Sequence, residues 1–210
     1  MGATTAWRAV VVLAMTGAVA GLAALATDRF STQSAPPPPA VEVAEGATEN
    51  ALRVLYPEDR RPRMSLPEGR QETIRSVLNI DYPMQFGSYV WEDRDVPAGR
   101  VWVRVDVSKQ LISVFRDGHE IGSAVILYGA ESKPTPSGAF TVLQKARDYH
   151  SRTYDAPMPF MLRLTDDGVA IHASNVRKGW ATHGCIGVPE AFAQRLFAEM
   201  KLGDTVFIEA

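Results

Sequence analysis

Val101-Trp102-Val103-Arg104-Val105-Asp106-Val107, followed by Leu111-Ile112-Ser113-Val114-Phe115-Arg116-Asp117-Gly118-His119, decides the fold class. The first run is apolar and then alternates with polar residues, which is strand patterning. The second is β-branched and aromatic, and it leads into Asp117-Gly118. Asp-Gly between two such runs is the strongest short-range hairpin signal. Glu120 to Leu127 then supplies the return strand.

The same pattern continues downstream. Thr135-Pro136-Ser137-Gly138 has the composition of a turn, and Ala139-Phe140-Thr141-Val142-Leu143 reads as a strand. Phe160 to Leu164, then Asp166-Asp167-Gly168, then Val169 to His172 reads as a second hairpin. One segment has helical spacing. From Pro189 to Met200, Phe192, Leu196, Phe197 and Met200 recur at helix period, and Pro189 suits the first turn. Gly203 stops that helix, and Thr205-Val206-Phe207-Ile208 reads as a closing strand. Many short strands with one principal helix predict a mainly β domain, a sandwich or barrel. It runs from about residue 96 to 210, roughly 115 residues, an ordinary single-domain size.

Upstream the chain is of a different kind. Arg8 precedes an apolar run from Ala9 to Ala26, and Ala24-Leu25-Ala26 offers a small-x-small cleavage pattern before Thr27. Residues 1–27 therefore read as a secretory signal. The run also approaches the length needed to span a bilayer, so an uncleaved signal-anchor through residues 9–26 is the competing reading. Either way the rest of the chain is expected outside the cytoplasm, in the periplasm or cell envelope. Residues 28–95 read as a linker. Pro36-Pro37-Pro38-Pro39 is a stiff tether, and short helices are read around Thr48 to Leu55 and from Pro67 to Leu78, where Ile74, Val77 and Leu78 share a face. The formal net charge of −2 argues against a nucleic-acid role.

Cys185 is the one cysteine in the chain, so it cannot form an internal disulfide. It stands in Thr182-His183-Gly184-Cys185-Ile186-Gly187-Val188, downstream of Ile171-His172-Ala173. A thiol becomes a strong nucleophile as a thiolate, and a nearby imidazole is the usual helper. His172 ends a strand and Cys185 just precedes the helix, so the fold can bring the two together across the loop from Ala173 to Thr182. Backbone N–H groups near a helix start favour developing negative charge. A free cysteine is also often a small buried hydrophobe, but two flanking histidines and a glycine weigh toward catalysis. A zinc site lacks an obvious fourth ligand; no metal and no cofactor are expected.

These residues resemble the signature of the YkuD-type L,D-transpeptidases of bacterial cell walls. The resemblance covers about Val101 to Ala210. Thr135-Pro136-Ser137-Gly138-Ala139-Phe140 resembles the family's Thr-Pro-x-Gly-x-Phe turn and strand, Leu111 to Gly118 its first hairpin, and Gly203-Asp204-Thr205-Val206 its closing strand. The resemblance implies that Cys185 attacks a diaminoacyl–D-alanine bond in a peptidoglycan tetrapeptide stem, releases D-alanine, and passes the acyl group to an amine of a second stem. It implies that His172 is the base, held by the backbone carbonyl of Ala173. The N–H groups of His183, Gly184 and Cys185 would form the oxyanion hole; the His183 side chain reads as a structural support as readily as a proton carrier.

Two departures concern the substrate side. Gly187 stands where the family carries Arg or Asn, and the loop between His172 and Thr182 is short. The expected compensation is a cation from that loop, Arg177 or Lys178, on the stem carboxylate. An L,D-carboxypeptidase or endopeptidase would use the same Cys–His pair on water, and a wall-binding module would keep the fold without the chemistry. The intact nucleophile, base and Gly184 disfavour the last. The expected partners are peptidoglycan stems, and a monomer is the expected state.

Overall fold

Asp117 and Gly118 both take positive φ, 48° and 78°, as a two-residue primed turn requires. The computed structural model in which they sit describes residues 48–49, 52–65 and 71–209. The expected signal or anchor and the polyproline tether lie outside the described residues.

In chain order the strands begin with β1 (Thr48–Glu49), β2 (Arg53–Leu55), β3 (Arg63–Ser65), β4 (Gln71–Thr73), β5 (Ser76–Leu78) and β6 (Tyr89–Trp91). Next come β7 (Val101–Asp106), β8 (Leu111–Arg116), β9 (His119–Val125), β10 (Gly138–Thr141), β11 (Gln144–Ala146), β12 (His150–Ser151) and β13 (Ala156–Pro157). The chain closes with β14 (Met161–Arg163), β15 (Ala170–Ala173), β16 (Ile186–Val188), helix α1 (Glu190–Glu199) and β17 (Thr205–Glu209). The fold is mainly β with one α-helix among the described residues, as the strand and helix patterns predict.

A nine-stranded sheet has the order β1-β2-β5-β9-β8-β7-β17-β10, with β6 also pairing β9. A four-stranded sheet has the order β11-β14-β15-β16. One apolar core joins them. Val103, Val105, Ile112, Val114, Val206 and Ile208 come from the large sheet, and Leu162, Ile171, Ala173, Ile186 and Val188 from the small one. Period-two alternation puts these residues on the inward faces. Helix α1 adds Phe192 and Leu196, and Met200 follows at its C-cap, the three four residues apart and fully buried. Each such side chain contributes roughly 1.5–3 kcal/mol of burial. Lys145 donates from Nζ to the carbonyls of Phe197, at 2.6 Å, and Met200. A cation there satisfies carbonyls that the helix end leaves open.

The two short helices read in the linker are not formed. Residues 53–55 and 76–78 are strands that extend the large sheet, paired Arg53↔Leu78 and Leu55↔Ser76. The reason is tertiary. A helix this short is marginal on its own, whereas the edge of β9 offers backbone partners. Arg53 fastens the join: its guanidinium donates to Ser76 Oγ at 3.2 Å, the Glu120 carbonyl at 2.6 Å and the Glu92 carbonyl at 2.5 Å.

Candidate active site

The small sheet has two distinct faces. Leu162, Ile171, Ala173, Ile186 and Val188 point into the core. By alternation Met161, Arg163, Ala170, His172 and Gly187 point the other way. Strands β15 and β16 run parallel, with Ile171 opposite Ile186 and His172 opposite Gly187. Cys185 immediately precedes β16 and packs with Met158, Met161 and Ala170. His172 and Cys185 therefore share one face, brought to neighbouring strands by the register.

His172 is 8 % exposed. Its Nδ1 lies 2.8 Å from the carbonyl oxygen of Ala173. A carbonyl can only accept, so Nδ1 carries the proton and Nε2 of the neutral ring keeps a lone pair. Burial pushes the His172 pKa below its ordinary value, against the raising effect of that hydrogen bond. Burial also pushes the Cys185 thiol up; a backbone contact from Ala170 and the charge of Lys133 act downward, and Asp167 acts upward. Both shifts favour the neutral forms, imidazole and thiol.

The turn before Cys185 is tightly held. Thr182 accepts from Ala130 N at 3.0 Å and donates N–H to Tyr128 O at 2.8 Å. Its Oγ1 donates to the Cys185 carbonyl at 2.5 Å. Gly184 has φ of 100°, where an L side chain is strained. A Cβ there would meet nothing closer than 3.7 Å, so backbone conformation and not crowding requires the glycine.

Cys185 opens on a cavity of about 460 Å³. One wall is the hairpin β12–β13. Tyr154, in its turn, stacks on His183 with centroids 4.6 Å apart and planes 20° from parallel. Lys133 Nζ donates to Tyr154 Oη at 3.0 Å. Arg152 and Arg163 also line this cavity.

The structure separates the expected substrate cations from the thiol. Arg177 donates to Asn175 Oδ1 at 3.0 Å and lies 5.6 Å from the Trp180 ring centroid. Lys178 lines a different cavity, of about 680 Å³, with Trp180 and Phe86. Neither lines the cavity of Cys185. At Gly187 a Cβ would fall 2.8 Å from both Cβ and Oγ of Ser174. The cations that do line the cavity are Lys133, Arg152 and Arg163. Lys133, Arg163 and Tyr154 carry no motif that singles them out in the sequence. The available signal was the parity of Arg163 with Met161 on a strand read correctly, which needed the register across β15 to become useful. Among the described residues, no group of three or more His, Cys, Asp and Glu side chains is placed to hold a metal ion.

The family model of the YkuD L,D-transpeptidase catalytic domain matches residues 100–208, so this chain belongs to that family. Among solved structures it is similar to an L,D-transpeptidase from Stackebrandtia nassauensis, with TM-score 0.50 and 23% identity over 54% of this chain and 57% of that one. It is also similar to a variant of the Enterococcus faecium L,D-transpeptidase, with TM-score 0.50 and 19% identity over 71% of this chain and 74% of that one. At these identities the likeness is one of fold. The chain spans little more than half of the Stackebrandtia protein. No match is found among curated proteins.

Proposed function

We propose that this protein is a cell-wall L,D-transpeptidase acting on peptidoglycan tetrapeptide stems. What supports the reading, beyond family membership, is the tautomer of His172: Ala173 holds Nδ1–H, which leaves Nε2 as the base on the face shared with Cys185.

Nε2 of His172 takes the Cys185 proton as the sulfur attacks the carbonyl carbon of the diaminoacyl–D-alanine bond. The oxyanion forms beside the backbone N–H groups of His183, Gly184 and Cys185. It collapses, the C–N bond breaks, and His172 returns the proton to the departing amine of D-alanine. The side-chain amine of a second stem then attacks the thioester, an amide forms, and the thiol is restored. Water in place of that amine gives a shortened stem, the carboxypeptidase outcome. The substrate lies outside the cytoplasmic membrane, so the protein works there, exported by its N-terminal apolar segment.

The test is incubation of the protein with a disaccharide-tetrapeptide, followed by mass spectrometry. Cross-linked dimer with loss of D-alanine is expected, and Cys185→Ala should give none while remaining folded. A shortened monomer alone would assign the hydrolase. Turnover by Cys185→Ala would overturn the chemistry.

A further inference from the structure

Leu162 points into the core, so Met161 and Arg163 on β14 point to the Cys185 side. Arg163 pairs with Ala170 on β15. Continuing the β15–β16 register back one step from Ile171↔Ile186 sets Ala170 beside Cys185. Arg163, Ala170 and Cys185 thus form one row across the sheet. Two strand spacings of about 4.8 Å put the outer α-carbons roughly 10 Å apart. In that row the residue between them is Ala170, whose side chain is a methyl group. Arg163 and Cys185 line the same cavity.

The Arg163 guanidinium is unmatched there. Its Nε is buried and has no hydrogen-bond partner. Among the described residues it makes no ion pair, although Asp166 and Asp167 line the same cavity. The other two cations differ: Lys133 is bonded to Tyr154, and Arg152 is exposed on the hairpin. Nε of Arg61 and Arg116 is left the same way; what sets Arg163 apart is its place in the Cys185 row and cavity, and a planar guanidinium suits a carboxylate.

We infer that Arg163 is a specificity residue that binds the C-terminal carboxylate of the donor stem. The inference rests on the stem-cleaving function proposed above. In a stem cut at its last peptide bond, that carboxylate lies one residue beyond the scissile carbonyl, about 3.8 Å between α-carbons. With the scissile carbon at the sulfur, an extended arginine side chain spans the remainder of the row.

The experiment compares two donor tetrapeptides, one ending in a free acid and one in a carboxamide. Acylation of Cys185 is followed by intact mass for wild type, Arg163→Gln and Arg163→Lys. Wild type should favour the acid by about 10- to 100-fold in kcat/KM, the range for hydrogen bonds to charged groups. Arg163→Gln should lower the acid to the level of the amide and leave the amide unchanged, and Arg163→Lys should recover part of the preference. Equal use of both stems by wild type overturns the inference, as does equal slowing of both stems in Arg163→Gln. If wild type is acylated by neither stem, the proposed function fails, and calorimetry with Cys185→Ala decides the carboxylate contact separately. Acid-selective binding that Arg163→Gln removes then supports it, and binding without that selectivity, or none at all, overturns it.

Discussion

Nδ1 of His172 and the carbonyl oxygen of Ala173 stand 2.8 Å apart. One residue thus fixes its neighbour's tautomer through the backbone, a device open to any side chain at position 173. Burial holds the imidazole below its ordinary pKa of 6.5. The acid limb of kcat/KM should therefore fall below pH 6.5. His172→Ala should cost about 10²–10⁴-fold and shift the remaining activity to the thiolate, rising above pH 9. Burial also sets a sign for stability. Below pH 6.5 the unfolded chain binds a proton at His172 that the folded chain resists. That contribution is complete above pH 6.5 and is lost as pH falls through 6.5 toward the folded pKa. Rate profiles of wild type and His172→Ala check this; an acid limb centred above pH 6.5 would contradict it.

Tyr154 clamps the hairpin β12–β13 to the turn that carries Cys185, by its stack on His183 and its contact with Lys133. Stacked pairs contribute about 0.5–1.5 kcal/mol beyond area. Tyr154→Ala should speed alkylation of Cys185 by iodoacetamide roughly two- to tenfold, by loosening the wall of its cavity. Tyr154→Phe keeps the stack and should stay near wild type. Equal acceleration by both variants would place the effect in the Lys133 contact.

Ser174 occupies the space that a side chain at position 187 would need. Gly187→Asn should then destabilise the fold by about 1–3 kcal/mol through overpacking. Pairing it with Ser174→Gly should recover most of the loss, a coupling that denaturant melts of the four proteins would measure. Additive losses would mean that the strand shifts instead.

Arg53 joins β2 to the large sheet through Ser76 and two backbone carbonyls. Arg53→Ala should lower stability by about 2–5 kcal/mol, since buried acceptors lose a charged donor. Residual activity per folded molecule should change little, because none of these contacts involves the Cys185 cavity. Arg53→Lys should rescue only partly, as an ammonium cannot reach three acceptors in a fork. A melt unchanged in Arg53→Ala would show the join to be dispensable.

Local chemistry was enough for several elements. Asp117-Gly118 demanded a turn, the β-branched runs on either side demanded strands, and Phe192, Leu196 and Met200 recur at a period that only a helix buries on one side. Cys185, His172 and Gly184 were legible for the same reason, since their residue types carry the chemistry. Other features have no local signal. Ile186-Gly187-Val188 is too short to show a period, yet it is the parallel strand that sets His172 on the Cys185 face. Residues 53–55 and 76–78 have sequences that suit a helix as well as a strand, and the open edge of β9 settled the matter. The cations followed the same rule. Arg177 and Lys178 are near His172 in sequence but do not line the Cys185 cavity, whereas Arg163 reaches the Cys185 row through two strand pairings. Residue types mark the groups able to act, and strong local patterns such as Asp117-Gly118 mark the elements around them. Which groups meet, and which state the short segments 53–55 and 76–78 adopt, follows from long-range strand pairing that no local window contains.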